Sequence, residues 1–289
     1  MFKLPGFSAA AWLLVLALTS ALSACGDTSL GRVRESGELR IGYAVEPPYA
    51  WVQPDGHVDG EAPAIARAIA ARLGIPRLVW VQTSFDALIP DLDAGRYDVI
   101  AAGLFITPER ARHIVFSRPT LNVRPALLLR RDAGTDAFVP CYLQVVGRSP
   151  ARIAVISGAA EETMLLDIGV PEGRLVRVPD SITGWHALRD GVADAIALSA
   201  PSLRWMQRGH ADDTVLAPAP AATATAAPDT STPAALAPGR PAFAFRRADA
   251  TLSRAWDVEL AGFIGTPEHL ALIAPFGLTA DDLPPRAAR

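Results

Sequence analysis

Six residues on three short stretches have the types and spacing to hold a charged small molecule. Glu46 and Tyr49 lie in Glu46-Pro47-Pro48-Tyr49, Phe85 in Thr83-Ser84-Phe85, and Phe105, Thr107 and Arg110 between Gly103 and Arg110. The ring faces of Tyr49, Phe85 and Phe105 attract a delocalised or methylated cation, each favourable contact contributing about 0.5–2 kcal/mol. Glu46 would neutralise that charge, and the Arg110 guanidinium would take an anion at the other end in a two-pronged contact. Pro47 and Pro48 fix the backbone that carries Glu46 and Tyr49. Singly, each has a plainer role: Phe85 and Phe105 as core, Glu46 and Arg110 facing water. Convergence at one sheet edge favours a pocket for a compact zwitterion with a diffuse positive charge.

Covalent chemistry has no comparable signal. The five histidines are scattered and none falls in a His-x-x-x-His spacing. There is no Gly-x-Ser-x-Gly elbow, phosphate loop or dinucleotide fingerprint. Glu161-Glu162 and Asp212-Asp213 are adjacent acids, a pattern typical of a solvated face or a helix start. No metal or cofactor is expected.

The elements that must position these residues alternate between strand and helix. Leu39 to Ala44 reads as a strand ended by the prolines, Ala62 to Leu73 as a helix stopped at Gly74, and Leu78 to Val81 as a second strand. Phe85 to Leu92 reads as helical, with Gly95 as its cap and Asp98 to Ala102 as the next strand. The pattern returns with strand Arg152 to Ile156, a helix from Gly158 to about Ile168, a helix ending at Gly191 and strand Asp194 to Leu198. Gly95-Arg96-Tyr97-Asp98 and Gly191-Val192-Ala193-Asp194 thus repeat one helix, glycine, aspartate, strand sequence. Two such units predict an α/β protein of two lobes, each a mostly parallel sheet flanked by helices, with a cleft at the strand ends. The stretch 215–241, rich in Ala, Pro and Thr, reads as a surface excursion, Ala242 to Phe245 as a strand, and Ala250 to Phe263 as a closing helix.

The chain has 289 residues, 50% of them hydrophobic and 20% charged, with a formal net charge of −3, which excludes a strongly basic nucleic-acid binder. Its apolar run from Ala9 to Leu22 follows Lys3, the only lysine, and ends in Leu22-Ser23-Ala24-Cys25, as in a secretory signal peptide. Leu-x-x-Cys resembles the bacterial lipobox, which implies removal of 1–24 and a lipid on Cys25 that ties a soluble protein to a membrane surface. The plainer alternative is ordinary signal cleavage with Cys25 an incidental thiol. Cys141 then lacks an intrachain partner and reads as a small buried hydrophobe.

Leu39-Arg40-Ile41-Gly42, Glu46-Pro47-Pro48-Tyr49, the Gly95 to Asp98 turn, Ile106-Thr107-Pro108-Glu109-Arg110 and Phe116-Ser117-x-Pro119 resemble the extracellular solute-binding proteins of family 3, which serve ABC importers. Gly60 to Pro63, Phe85 to Pro90, Asp98 to Gly103, Ala242 to Phe245 and Gly265 to Leu272 resemble most closely the ectoine/hydroxyectoine-binding subfamily. The resemblance implies a periplasmic-binding-protein-like fold with its ligand cleft at the hinge. It places the aromatic box on Tyr49, Phe85 and Phe105, charged partners at Glu46 and Arg110, and a further contact at Glu161. Amino-acid binders of the family carry an aspartate where Ser199 stands, so Ser199 disfavours an ordinary α-amino acid and suits ectoine, whose cation is delocalised over its ring.

The implied organisation is a signal at 1–24, an anchor or linker at 25–36, lobe one at 37–127 plus 248–289, and lobe two at 128–247. The implied partners are a small zwitterionic ligand, the permease subunits of an ABC transporter and, through the lipid, a membrane; the chain would be a monomer in the periplasm or on the outer face of the cytoplasmic membrane. The same fold could bind a polar amino acid, an opine or a quaternary amine, or sense a ligand without transport. The related cyclohexadienyl dehydratases supply an enzymatic alternative.

Overall fold

A computed structural model describes residues 27–131, 142–147, 151–219 and 236–285. In chain order the first lobe contains α1 (Ser29–Ser36), β1 (Glu38–Tyr43), a small hairpin of β2 (Trp51–Val52) and β3 (Val58–Asp59), α2 (Glu61–Arg72), β4 (Arg77–Gln82), α3 (Leu88–Asp93), β5 (Val99–Ile100), α4 (Arg110–His113) and β6 (Ile114–Phe116). The chain then enters the second lobe: β7 (Pro125–Arg130), α5 (Tyr142–Gly147), β8 (Ile153–Ile156), α6 (Ala160–Asp167), β9 (Leu175–Val178), α7 (Ser181–Arg189), β10 (Ala195–Ser199), α8 (Ala200–Met206) and β11 (Thr214–Pro218). It returns through β12 (Ala244–Arg246), α9 (Ala250–Phe263) and α10 (Pro267–Ile273).

The two five-stranded sheets have the orders β4-β1-β5-β12-β6 and β11-β7-β10-β8-β9. Each has a parallel part, β4-β1-β5 and β10-β8-β9, extended by antiparallel strands. β12 and β7 are antiparallel because they carry the chain into a sheet from the other lobe. The crossing segments pair with each other: Ser117 N donates to Phe243 O at 2.9 Å, Thr120 N to Pro241 O at 2.8 Å and Val123 N to Gly239 O at 2.9 Å. These bonds form the hinge.

The lobe limits therefore differ from the sequence reading. β12 belongs to the first sheet, so the return crossing precedes Ala244 instead of following Arg247, and β7 begins the second lobe at Pro125 instead of residue 128. Residues 29–36 are no linker: α1 buries Val33 in the first-lobe core, and Ser29 Oγ lies 3.0 Å from Thr251 Oγ1. The helix read from Phe85 begins only at Leu88, leaving Phe85 in a turn. Thr214–Pro218 is an edge strand, where the proline at its end needs no donor, so the excursion cannot start at Val215. Residues 220–235, the signal and lipobox at 1–24 and Cys25, and Cys141 lie outside the described residues.

The first-lobe core packs Ile41, Ile65, Ile69, Phe245, Trp256 and Phe263 between the sheet and its helices. A second cluster includes Phe85, Leu88 and Ile100 of the first lobe and Ala159, Ile196 and Leu203 of the second, so both lobes share it. Asp98, at the start of the glycine-punctuated strand, is buried under three guanidiniums: Arg40 Nη2 at 2.9 Å, Arg32 Nη2 at 3.0 Å and Arg246 Nη2 at 3.2 Å from Oδ1. Burial alone would raise its pKa, but hydrogen bonds from Arg40 and the charges of Arg40 and Arg32 hold it below the ordinary carboxylate value. Its stabilisation is present above that ordinary value and is lost as pH falls through the depressed one. Asp98→Asn is expected to lower the unfolding free energy by about 3 kcal/mol at neutral pH, measured by urea unfolding.

Candidate binding site

Glu46 and Tyr49 are held by a tight turn after β1. Glu46 N donates to Ala50 O at 2.8 Å, and Tyr49 N and Ala50 N return to Glu46 O at 2.8 and 3.1 Å. Tyr49 fits beneath because Gly103 lacks a side chain: a Cβ there would lie 2.5 Å from Tyr49 Cγ, and Gly103 has φ +64°. Phe105 is locked to the hinge by Ile106 N to Arg240 O at 3.0 Å and Ala242 N to Leu104 O at 3.0 Å. Thr107 Oγ1 accepts the Arg110 N–H at 3.2 Å, which starts α4 and aims the arginine. Phe85, Phe105, Glu46, Tyr49 and Glu161 are all buried.

Arg110 joins the lobes. Its Nη1 donates to Phe105 O and its Nη2 to Gly158 O across the cleft, both at 2.8 Å, while its guanidinium carbon lies 5.7 Å from the Phe85 ring centroid. Gly158 permits this close approach, since a Cβ there would stand 3.1 Å from Asp86 Cα of the other lobe. Phe105, Thr107, Arg110, Gly158 and Met164 line an interlobe cleft of about 810 Å³, within the usual range for small-ligand sites.

A second group lies where the lobes touch. The Tyr49 hydroxyl donates to Ser199 Oγ at 2.9 Å, Ser199 Oγ to Ser202 Oγ at 3.1 Å, and Ser202 Oγ to Glu46 Oε1 at 2.7 Å. This chain leaves the first lobe at Tyr49 and re-enters it at Glu46. Ser199 also accepts the Ser202 N–H at 3.2 Å as the cap of α8. With one donor and two acceptor sites in use, its hydroxyl has no capacity left for a ligand in this arrangement. In this arrangement Ser199, read from the sequence as a ligand contact, orients Tyr49.

Glu161 links the two groups electrically. It lies in the first turn of α6 and is buried, whereas its neighbour Glu162 turns to Arg177 Nε at 2.6 Å, so the adjacent acids divide between interior and surface. Burial pushes the Glu161 pKa up to about 7, against the opposing charge of Arg110. Burial, helped by the charge of Glu161, pushes Glu46 up to about 8, although the Ser202 hydrogen bond opposes this. Two enclosed acids beside aromatic rings and one guanidinium suit a ligand that carries both a cation and an anion. Among the described residues no cluster of three or more His, Cys, Asp or Glu could hold a metal ion.

Comparison with known proteins fixes the family. The model of the bacterial extracellular solute-binding proteins, family 3, matches residues 39–274. This chain belongs to that family. EhuB, solved in complex with hydroxyectoine, is 32% identical, with a TM-score of 0.75 over 88% of this chain and 94% of that one. A "Probable amino-acid ABC transporter periplasmic-binding protein" of Sinorhizobium fredii is 31% identical over 199 residues, covering 68% of this chain and 65% of that protein, just under two thirds of its length. Cyclohexadienyl dehydratase of Pseudomonas aeruginosa is 27% identical over 196 residues, 67% of this chain and 70% of that enzyme.

In this chain, the residues sequence reasoning missed are Ser202 and the carbonyl of Gly158. Ser202 had a signal: it lies three residues after Ser199 beyond Ala200-Pro201, the spacing that puts a helix N-cap and its next turn on one face. A backbone carbonyl acting as an arginine acceptor has no residue-type signature.

Proposed function

We propose that this chain is the extracellular receptor of an ABC importer and that it captures ectoine or hydroxyectoine by closure of its two lobes. The observation that carries the reading is the enclosure of Glu46 and Glu161 with Tyr49, Phe85 and Phe105, while Arg110 stands at the cleft wall. The acids and ring faces would take the ring-delocalised cation, and the remaining N–H donors of Arg110 the carboxylate. The hydroxyectoine complex of EhuB, a relative at 32% identity, supports this ligand class. The membrane partner would be the permease subunits, and a lipid on Cys25 would hold the monomeric receptor at the outer face of the cytoplasmic membrane. None of the described helices is long and apolar enough to cross a membrane.

Titration calorimetry against ectoine, hydroxyectoine, glycine betaine, arginine and glutamine tests the ligand. Heat with either ectoine supports the reading, and tight arginine or glutamine binding without ectoine heat overturns it. Two enclosed acids with raised pKa values are also what a dehydratase would use, so prephenate turnover by the purified protein would replace transport with catalysis. Phe85→Ala and Phe105→Ala are each expected to weaken ectoine binding about 10- to 100-fold, from loss of the cation contact and of buried ring area. Unchanged affinity in both variants would assign the rings to the core alone.

A further inference from the structure

The polar chain through Ser199 and Ser202 is the first part of a longer seam. Ser202 and Trp205, three positions apart, share one face of α8, with Ser199 as its N-cap and Arg208 just past its last turn. Each meets the first lobe. Ser199 takes the Tyr49 hydroxyl and Ser202 binds Glu46. Trp205 packs on Trp51 of the β2 hairpin, centroid to centroid 4.9 Å, and Trp51 packs edge-on against Phe276 at 5.8 Å. Arg208 covers the outer face of Trp205 with its guanidinium carbon 4.1 Å from the ring, and its Nη2 lies 2.5 Å from where a Cβ on Gly277 would stand. Beside the seam, Arg204 Nη2 reaches Asp282 Oδ1 at 3.3 Å.

The seam grades from buried to wet. Ser199 and Ser202 are fully enclosed, Trp51 and Trp205 are half-buried, and Arg204 and Arg208 are exposed. Enclosed hydrogen bonds confer geometry, the tilted indole pair confers area, and the Arg208 guanidinium covers Trp205. None of Ser202, Trp51 and Trp205 belongs to the aromatic box, and a hinged protein needs interactions that exist only when its lobes meet.

We propose that this face of α8 is an interlobe latch, in which Ser202 positions the Glu46 carboxylate and the Trp51–Trp205 contact sets the balance between open and closed lobes. The latch acts without ligand. It shifts the closed population, and that shift appears as a change in apparent affinity for whatever the cleft takes.

The test measures the distance between spin labels on Val192→Cys and Val258→Cys, exposed positions on the second and first lobes, in the full chain with Cys25 and Cys141 changed to Ser. No ligand is added, so a failure of the ectoine assignment leaves the result readable. The parent is expected to show a short-distance closed population. Trp205→Ala and Trp51→Ala should each reduce the closed-to-open ratio at least tenfold, and the double variant no further, since both break one contact. Trp205→Phe should restore most of the closed form. Ser202→Ala should also shift the balance toward open, and Ser202→Thr, which keeps the hydroxyl, should not. Should Trp205→Ala fail to fold, Trp51→Ala on the other lobe reads the same contact. A parent that is wholly open, or tryptophan variants with the parent's distance distribution, would overturn the latch.

Discussion

Arg110→Ala is expected to abolish useful ligand capture, with affinity falling at least 100-fold while the lobes remain folded. The variant removes the guanidinium proposed to take the ligand's carboxylate, and truncating one partner of a buried, hydrogen-bonded charge pair costs about 2–5 kcal/mol, at a factor of about ten for each 1.4 kcal/mol. It also removes the cation whose charge opposes the raised pKa of Glu161, so the acid face of the cleft loses its counterweight. Finally, it deletes the hydrogen bonds to Phe105 O and Gly158 O, one on each lobe, so that closure loses a strut as well as a ligand contact. Calorimetry gives the affinity and a thermal melt checks the fold. Arg110→Lys separates charge from geometry: an ammonium keeps the charge but cannot span two carbonyls and a carboxylate with a planar fork, so intermediate affinity is expected. Affinity within threefold of the parent in Arg110→Ala would remove the arginine from the site.

The contrast between Arg110 and its partners shows what a sequence can and cannot carry. Arg110 was legible because a strand end, a threonine cap and a helix start sit within a few residues, and local rules suffice to aim it. The same holds for α9, whose bounds Ala250 and Phe263 follow from its apolar spacing. The sequence predicts a helix from Phe85, yet the helix starts only at Leu88 and leaves the ring in a turn. The lobe boundary at β12 was not legible, because membership of a sheet depends on pairing with β5 and β6, more than a hundred residues earlier. Thr214–Pro218 was hidden by the Ala and Pro composition that follows it, since an edge strand needs donors along one side only. The role of Ser199 depends on Tyr49 and Ser202, and contacts between distant segments leave no local pattern.

Ligand binding near pH 7 is expected to release protons, and Glu46→Gln to suppress most of that release. Glu46 is pushed up to about 8 by burial and the charge of Glu161, so near neutrality it is mostly protonated; Glu161, pushed up to about 7 by burial, is divided between its two forms. A cation seated between them favours both charged forms, and the protons must leave. Affinity for a cationic or zwitterionic ligand therefore rises with pH from about 6 to 8, by at most tenfold per unit for each proton displaced. Stability runs the other way. Folded-state values above the ordinary carboxylate value mean that the folded protein binds more protons than the unfolded chain. The contribution is fully present below that ordinary value and is lost as pH rises through about 7 to 8. Glu61 adds to the same trend, since burial pushes it up to about 7 against the opposing Thr120 hydroxyl. Calorimetry with ectoine in phosphate and in Tris at one pH reads the proton count from the difference in heat, because the two buffers take up protons with different enthalpies. Equal heats would show that both acids keep their protonation states, and the charge argument for the pocket would fail. Glu46→Gln supplies the complementary sign: its affinity should fall 10- to 100-fold below the parent at about pH 8.5, where the parent's acid is largely ionised, and the gap should narrow at about pH 6, where the parent too presents an uncharged group.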